Sequence, residues 1–387
     1  MAEAVRRAVR YSPALAAAAT ELDAKDAETL QAGAPPNPRL ESEIENFGGT
    51  GDFQGFKSAE TTIGLAQVIE LGGKRSKRLQ VAQLDAALAG WDYEAVRLRV
   101  AAQTALAFID VLAGQERRAV LAEFVALNRR FRQSVADRVK AGGVSAVETR
   151  RADVEVARAK ARLAEERVRL DSAKRKLALQ WGSRKPNFGT AAGSLAAEGR
   201  LPEADRLQRH LERHPAVARW AEEMARREAV YRLTRARGVP DLTLGAGVRQ
   251  LDVTQDTAVV AKIGIDLPIF NRNRGNREAA ERRIAQGAYQ SQAARNTLTG
   301  QFVEAFGELK AADAKQRSLR TEVIPAAQAA YTATYKGYRE GKYDILRLID
   351  VQRGLIESRL DLIEARAAFQ KSRARVEALI GGSLYGL

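Results

Sequence analysis

Apolar residues recur at a strict seven-residue spacing in two parts of the chain. Val156, Leu163, Leu170 and Leu177 form one series, and Leu355, Leu362, Phe369 and Val376 the other. The two superpose at a shift of 199 residues, and each follows a glycine-containing turn. The first turn is Lys140-Ala141-Gly142-Gly143-Val144-Ser145, and the second is Glu340-Gly341-Lys342-Tyr343-Asp344. A strict seven is the period of left-handed coiled-coil packing, because a straight helix drifts against it and must supercoil to keep its seam covered. Two seams in register, at one distance from a turn, mark an internal duplication. A third series, Leu106, Ala113, Val120 and Leu127, lies in a stretch without proline from Lys74 to about Lys140. As one helix that stretch would extend roughly 100 Å. The turn at Gly142-Gly143 returns it antiparallel, which predicts a rod.

Elsewhere the period is two, the signature of strands with unlike faces. Leu40, Ser42 and Ile44 alternate with Glu41, Glu43 and Glu45. After the loop Gly48-Gly49-Thr50-Gly51-Asp52 comes Thr61, Ile63, Leu65, Gln67, Ile69, Leu71. The same design returns as Leu242, Leu244, Ala246, Val248 and as Val259, Ala261, Ile263, Ile265, Leu267, Ile269, with Lys262 and Asp266 on the opposite face of the latter. Residues 2 to 33 read as a helix broken near Ser12-Pro13, and His214-Pro215 matches that break at a shift of 202. A kink is expected at Ile324-Pro325, since proline has no N–H for the turn before it.

The chain therefore divides into a first repeat at 1–182, a linker at 183–202 rich in glycine and proline, and a second repeat at 203–387. The first holds an N-terminal helix, a β-hairpin at 39–71 and a helical hairpin at 75–181; the second holds a helix, a β-hairpin at 241–270 and a helical hairpin at 272–380. The strands have the ~9–11 residues that cross a bilayer when tilted. Four strands cannot close around a lumen, so a pore would need several chains.

Net charge is +15 with 29% charged residues, but the signs are mixed along the helices. That is a solvated helix face rather than a nucleic-acid stripe, and no nucleic acid is expected. Cysteine is absent, which excludes thiolate chemistry and a lipidated N-terminal cysteine in this sequence. No apolar run approaches the roughly 18 residues of a membrane helix, and Met1 to Arg6 lack a signal-peptide core. Either a cytosolic protein or a chain whose signal has been removed is compatible with these facts.

Ser12-Pro13-Ala14-Leu15, Pro36-Asn37-Pro38-Arg39-Leu40, Ile69-Glu70-Leu71-Gly72-Gly73-Lys74-Arg75, Ala141-Gly142-Gly143-Val144-Ser145, Leu267-Pro268-Ile269-Phe270-Asn271-Arg272 and Tyr338-Arg339-Glu340-Gly341, together with the duplication, resemble the TolC-like outer membrane factor family. The resemblance implies an α+β membrane protein with four β-strands per chain. As a homotrimer it would form a 12-stranded outer-membrane β-barrel in outer-membrane lipid, with its coiled-coil helices forming a periplasmic α-barrel. Glu70 to Arg75 looks most like the CzcC-like heavy-metal branch, the exit ducts of tripartite pumps that work with a periplasmic adaptor and an inner-membrane RND pump. A duct for drugs or for type I secretion is the alternative within the family. A periplasmic coiled-coil scaffold without a pore is the alternative outside it, and it leaves the strands unused.

The resemblance places docking tips at Gly142, Gly143, Val144 and Ser145 and at Gly341, Lys342, Tyr343 and Asp344. It places the aperture, two acidic residues three apart in the family, at Arg347 and Asp350, with Glu148 and Arg151 as counterparts. Only one of the two acids is present, so a mixed-charge constriction closed by ion pairs is expected instead of an acidic ring. Glu41, Glu43, Glu45, Lys262 and Asp266 are candidates for the barrel lumen.

No catalytic constellation, cofactor or metal site is expected. His210 and His214 stand four apart but have no other His or Cys to complete a zinc site. Gly72-Gly73-Lys74 lacks the other residues of a phosphate loop. The basic clusters Lys74, Arg75, Lys77, Arg78 and Arg272, Arg274, Arg277 read either as a collar for anionic headgroups or as solvated helix starts.

Overall fold

The computed structural model describes residues 1–196 and 201–384. Helices α1 (Ala2–Tyr11) and α2 (Pro13–Ala32) meet at an extended Ser12, as the proline there requires. Strands β1 (Arg39–Glu45) and β2 (Glu60–Ile69) lead into α3 (Lys74–Lys140), a single helix of 67 residues, and α4 (Ala146–Leu179) follows. The second repeat runs through α5 (Ala204–Gln208), a 3-10 turn, α6 (Pro215–Ala218) and α7 (Trp220–Ala236) to strands β3 (Leu242–Leu251) and β4 (Asp256–Ile265). It ends with α8 (Arg274–Ser318), α9 (Ile324–Arg339) and α10 (Ile345–Ile380). The break expected at Ile324-Pro325 is a π-turn at Leu319–Val323, with the proline in the first turn of α9. The matching stretch of α3 has no interruption.

Both helical hairpins turn by one device. Gly142 and Gly341 have φ of +71° and +75°, the left-handed conformation in which a helix ends. The next residue's N–H closes on the carbonyl five residues back, Gly143 on Arg138 at 2.9 Å and Lys342 on Gly337 at 2.8 Å. The returning helix is capped in each case. Ser145 Oγ accepts the Val147 N–H, and the Asp344 carboxylate accepts that of Arg347.

Cα packing groups the chain into two compact units that cut across the sequence repeats. One contains residues 1–18, 93–218 and 294–387; the other contains 19–92 and 219–293. In the first, Leu163, Leu170, Leu177, Leu355, Phe369 and Val376 are buried as the heptads require, while Val156 and Leu362 are half-buried. Of the α3 series Ala113 is buried in the core, whereas Leu106, Val120 and Leu127 are half-buried at its margin, and Ile109, Leu112, Phe124 and Val125 carry most of the core there. The segment expected as a linker is docked for the part described: Leu195 is fully buried against the core that includes Phe108 and Leu177, and Gln115 exchanges two hydrogen bonds with the Ala191 backbone. Its residues 197–200 lie outside those described.

The second unit holds one antiparallel sheet in the order β1-β2-β3-β4. Leu40 pairs with Leu65, Ile63 with Val248, and Leu244 with Ile263. The last strand is shorter than its alternation suggested. It stops at Ile265, and Leu267 and Ile269 lie in a turn around Pro268, where the Ile269 N–H bonds the Leu267 carbonyl. Proline cannot donate to a ladder, so the strand ends ahead of it. Asp266 consequently stands one residue past the strand. Gly64 faces Gly247 across β2 and β3, where a Cβ at 247 would lie 2.7 Å from the Ile63 carbonyl oxygen.

Candidate channel sheet and helix turns

Cross-strand partners share a face and successive residues alternate, so the register sorts the sheet into two surfaces. One carries Leu40, Ile44, Ile63, Leu65, Ile69, Leu244, Val248, Val259, Ile263 and Ile265, all exposed; Val259 is 86% and Ile263 76% accessible. A contiguous apolar surface of this kind marks contact with lipid or with another chain. The other face is charged. Arg249 is its hub, 2.9 Å from Glu45, 2.7 Å from Glu60 and 2.9 Å from the Thr62 hydroxyl. Lys262 reaches Glu41 at 3.2 Å, and Glu43 is exposed with no ion pair among the described residues. Three of the expected lumen carboxylates thus share one face with Lys262, and Asp266 lies beyond it. The outer edges of β1 and β4 have no strand partner among the described residues. No described helix is long and apolar enough to cross a membrane.

The turns of the two helical hairpins are joined by side chains that sequence reasoning did not single out. Tyr338, 2% exposed, donates its hydroxyl to Glu148 Oε2 at 3.2 Å. Arg138 donates to the Tyr338 carbonyl at 2.9 Å and lies over the Tyr338 ring at 4.6 Å, with Phe131 edge-on at 5.8 Å. Burial first, then the Glu148 carboxylate, pushes the Tyr338 phenol up to about 12, so it remains a neutral donor. The available signal was a difference between the repeats. At a shift of 199 residues Tyr338 corresponds to Val139, an aromatic hydroxyl in place of an aliphatic side chain.

Of the four expected aperture residues, Glu148 is half-buried and Arg151, Arg347 and Asp350 are exposed. Within the chain none forms an ion pair with another among the described residues. Arg347 instead stacks at 5.0 Å on Tyr343, which lies on Gly337 so closely that a Cβ there would be 2.4 Å from the ring. Lys342 pairs with Glu340 at 2.8 Å. Further along α4, Glu155 is almost buried between Arg158 at 3.0 Å and Arg353 of α10. Glu166 is held at 3.0 Å by Arg117, which also reaches Glu364.

The remaining motifs resolve into structure. Lys74 is nearly buried with its Nζ 2.7 Å from Asp241, which also accepts the Leu71 N–H, so the glycine turn before it is a strand-to-helix junction. His214 Nδ1 accepts the Ala216 N–H at 3.2 Å, and burial lowers its pKa. No group of three or more His, Cys, Asp or Glu able to hold a metal ion occurs among the described residues.

A sheet with one bare apolar face, one charged face and two open edges is a sector of a β-barrel, and a chain carrying such a sector is a subunit of an oligomeric membrane channel. The sequence profile described as outer membrane efflux protein matches residues 4–183 and 207–382. The chain belongs to that family, whose members are outer-membrane transport channels. The cobalt-zinc-cadmium resistance protein CzcC of Cupriavidus metallidurans is 33% identical over 369 residues, covering 95% of this chain and 86% of the relative. The nickel and cobalt resistance protein CnrC of the same organism is 27% identical over 281 residues, covering 73% of this chain and 66% of the relative. Among solved structures, the outer membrane protein VceC of Vibrio cholerae superposes with a TM-score of 0.80 at 16% identity, over 99% of this chain and 96% of that one. The open-state MtrE channel of Neisseria gonorrhoeae gives 0.78 at 16% identity, over 99% and 89%. At these identities the superpositions establish the fold.

Proposed function

We propose that the chain is the outer-membrane exit duct of a tripartite efflux pump and that its cargo is divalent heavy-metal cations. Three copies join β1 of one to β4 of the next in a twelve-stranded barrel, and a periplasmic adaptor and an inner-membrane RND pump deliver the cargo. The carrying observation is the four-stranded sheet, apolar and exposed on one face, charged on the other and unpaired at both edges. The metal assignment is supported by the 33% identity to a cobalt-zinc-cadmium resistance protein over 95% of the chain. Glu41, Glu43 and Glu45, with Lys262 and Asp266 near the strand end, line the lumen on this reading. With no soft-ligand relay in the protein, cations pass hydrated, and selection is made by the pump.

The helix turns act as the gate and docking tips, at Gly142–Ser145 and Gly341–Asp344. The Tyr338–Glu148 hydrogen bond and the Arg138 contact hold the two turns of one chain together. Arg151, Arg347 and Asp350 are exposed and available to pair with neighbouring copies. Conductance of the Arg347→Ala, Asp350→Ala double variant in a planar bilayer tests that role, and unchanged conductance removes it. Deletion and complementation test the cargo. Lost tolerance to zinc, cobalt or cadmium, restored by the gene, is expected. Lost tolerance to organic compounds alone would overturn the metal assignment and leave the duct.

A further inference from the structure

Each β-hairpin passes into its long helix through a basic junction, and the two repeats use that charge differently. At the first junction it is spent within the protein. Lys74 pairs with Asp241, and Arg78 grips Glu70 at 2.6 Å while donating to the Ala32 and Ala34 carbonyls. Arg75 and Lys77 are turned onto the carbonyls of Gly33 and Gly72.

At the second junction the arginines are free. Asn273 Nδ2 donates to the Thr234 carbonyl at 2.7 Å, which fastens the end of α7 to the start of α8. That contact gathers Arg235 and Arg237 with Arg272, Arg274 and Arg277. All five are exposed, and among the described residues none forms an ion pair. Among the described residues the five make one side-chain hydrogen bond, from Arg272 to the Ile269 carbonyl at 3.3 Å. Glu278 and Glu281 line the same groove as Arg274 and Arg277 without pairing with them. The five arginines outnumber these nearby carboxylates and repel one another, and an anion drawn between them relieves that repulsion.

The chain just ahead of Arg272 is as exposed as it is apolar. Leu267 is 70%, Ile269 59% and Phe270 98% accessible, and they continue directly from Ile265, the last residue of the sheet's bare apolar face. Guanidinium forks that fit phosphate, beside an apolar surface, are the chemistry of the boundary between headgroups and acyl chains.

We propose that this five-arginine junction is a headgroup site for an anionic phospholipid of the leaflet at the helix end of the barrel, present once per chain. The proposal rests on the reading of the apolar sheet face as lipid-facing. Net anionic headgroups are preferred over zwitterionic phosphatidylethanolamine, whose ammonium the arginines repel.

The test uses the full chain, purified in neutral detergent and stripped of lipid. Phosphatidylglycerol or phosphatidylethanolamine is titrated in, and bound lipid is counted by native mass spectrometry. The variants are Arg272→Gln/Arg274→Gln/Arg277→Gln and, as an independent pair, Arg235→Gln/Arg237→Gln. Arg75→Gln/Lys77→Gln at the first junction is the control. At roughly fivefold per arginine near a charged surface, the triple variant should bind phosphatidylglycerol about a hundredfold more weakly. The control should match the parent.

Equal affinity of parent and both variants overturns the proposal. So does equal retention of phosphatidylethanolamine, or displacement of the lipid by inorganic phosphate at matching concentration. A change in oligomeric state with lipid affinity intact would assign the arginines to a contact between copies and also overturn it. Membrane fractionation separates this proposal from the one beneath it. A parent protein absent from the outer membrane defeats both, whereas normal insertion with equal lipid affinity defeats only the headgroup site.

Discussion

Replacing Tyr338 with phenylalanine removes one oxygen and leaves the buried ring, its edge contact with Phe131 and the Arg138 guanidinium above it in place. The lost bond is 3.2 Å long and ends on a half-buried carboxylate that water can still reach. Length and access of water bring its net value below the range for hydrogen bonds to charged groups, to about 1 kcal/mol per chain. If the three chains of a trimer open together, about 3 kcal/mol is withdrawn from the closed state, a shift on the order of a hundredfold toward the open one. Arg138→Ala removes both the carbonyl bond and the cation–π contact and should shift it further, by about 2 kcal/mol per chain. Single-channel conductance in planar bilayers reads the open fraction directly. The phenol's folded pKa, raised to about 12 from an ordinary 10, fixes the sign of the pH effect. Stability from this proton is complete below pH ~10 and is lost as pH rises toward 12. The Tyr338-dependent difference between parent and variant should thus be flat up to pH ~10. A Tyr338→Phe channel as closed as the parent, together with an unchanged Arg138→Ala channel, would refute the latch.

Three further outcomes follow from the packing. Glu155→Ala removes a nearly buried carboxylate that bridges the partly exposed Arg353 and Arg158 and should lower stability by about 1 kcal/mol, while Glu155→Leu should lose less because it refills the space, both measured by thermal unfolding in detergent. Gly247→Val should reduce the yield of folded sheet in membranes, since its Cβ would meet backbone at 2.7 Å, whereas Gly264→Ala, whose nearest neighbour would be Thr243 at 3.8 Å, should be neutral. Asp241→Ala strands the nearly buried Lys74 ammonium and the Leu71 N–H together, and should cost about 2–3 kcal/mol by the same unfolding measurement.

What the sequence made legible is what repeats locally. The heptads of α4 and α10 and the alternation of the four strands are written in neighbouring residues, so helices, strands and the two faces of the sheet could be read from them. Partnership across the chain could not. Tyr338 and Glu148 are 190 residues apart, and Glu155 and Arg353 are 198 apart. Nothing local distinguishes a glutamate in an α4 seam from one on its solvated face. The α3 series was right only at Ala113, for a related reason. A helix packed by several neighbours has more than one candidate stripe, and the seven-step through Leu106, Ala113 and Val120 meets the buried one at Ala113 and otherwise runs along its margin. That Glu41, Glu43, Glu45 and Lys262 share one face of the sheet was legible because alternation places them, but Arg249, which pairs with Glu45 and Glu60 on that face, was not, because its partners lie on other strands.

The duplication also explains why each chain carries a single latch. At the shift of 199 residues, Tyr338, Glu148 and Arg138 correspond to Val139, Arg347 and Gly337. Valine has no hydroxyl to give, an arginine at 347 cannot accept one, and Gly337 is occupied by the ring of Tyr343. The latch therefore takes its tyrosine from one repeat and its carboxylate and guanidinium from the other, and the reciprocal arrangement cannot form. The basic junctions diverge in the same way, with carboxylates present for Lys74 and Arg78 and none paired with Arg272, Arg274 or Arg277. Shared apolar seams keep the two copies alike as scaffold, because packing accepts any side chain of the right size. Their polar positions are under no such constraint. Those positions make the helix turns and sheet junctions unequal, so that an element duplicated in sequence supplies a latch and an anion site once each.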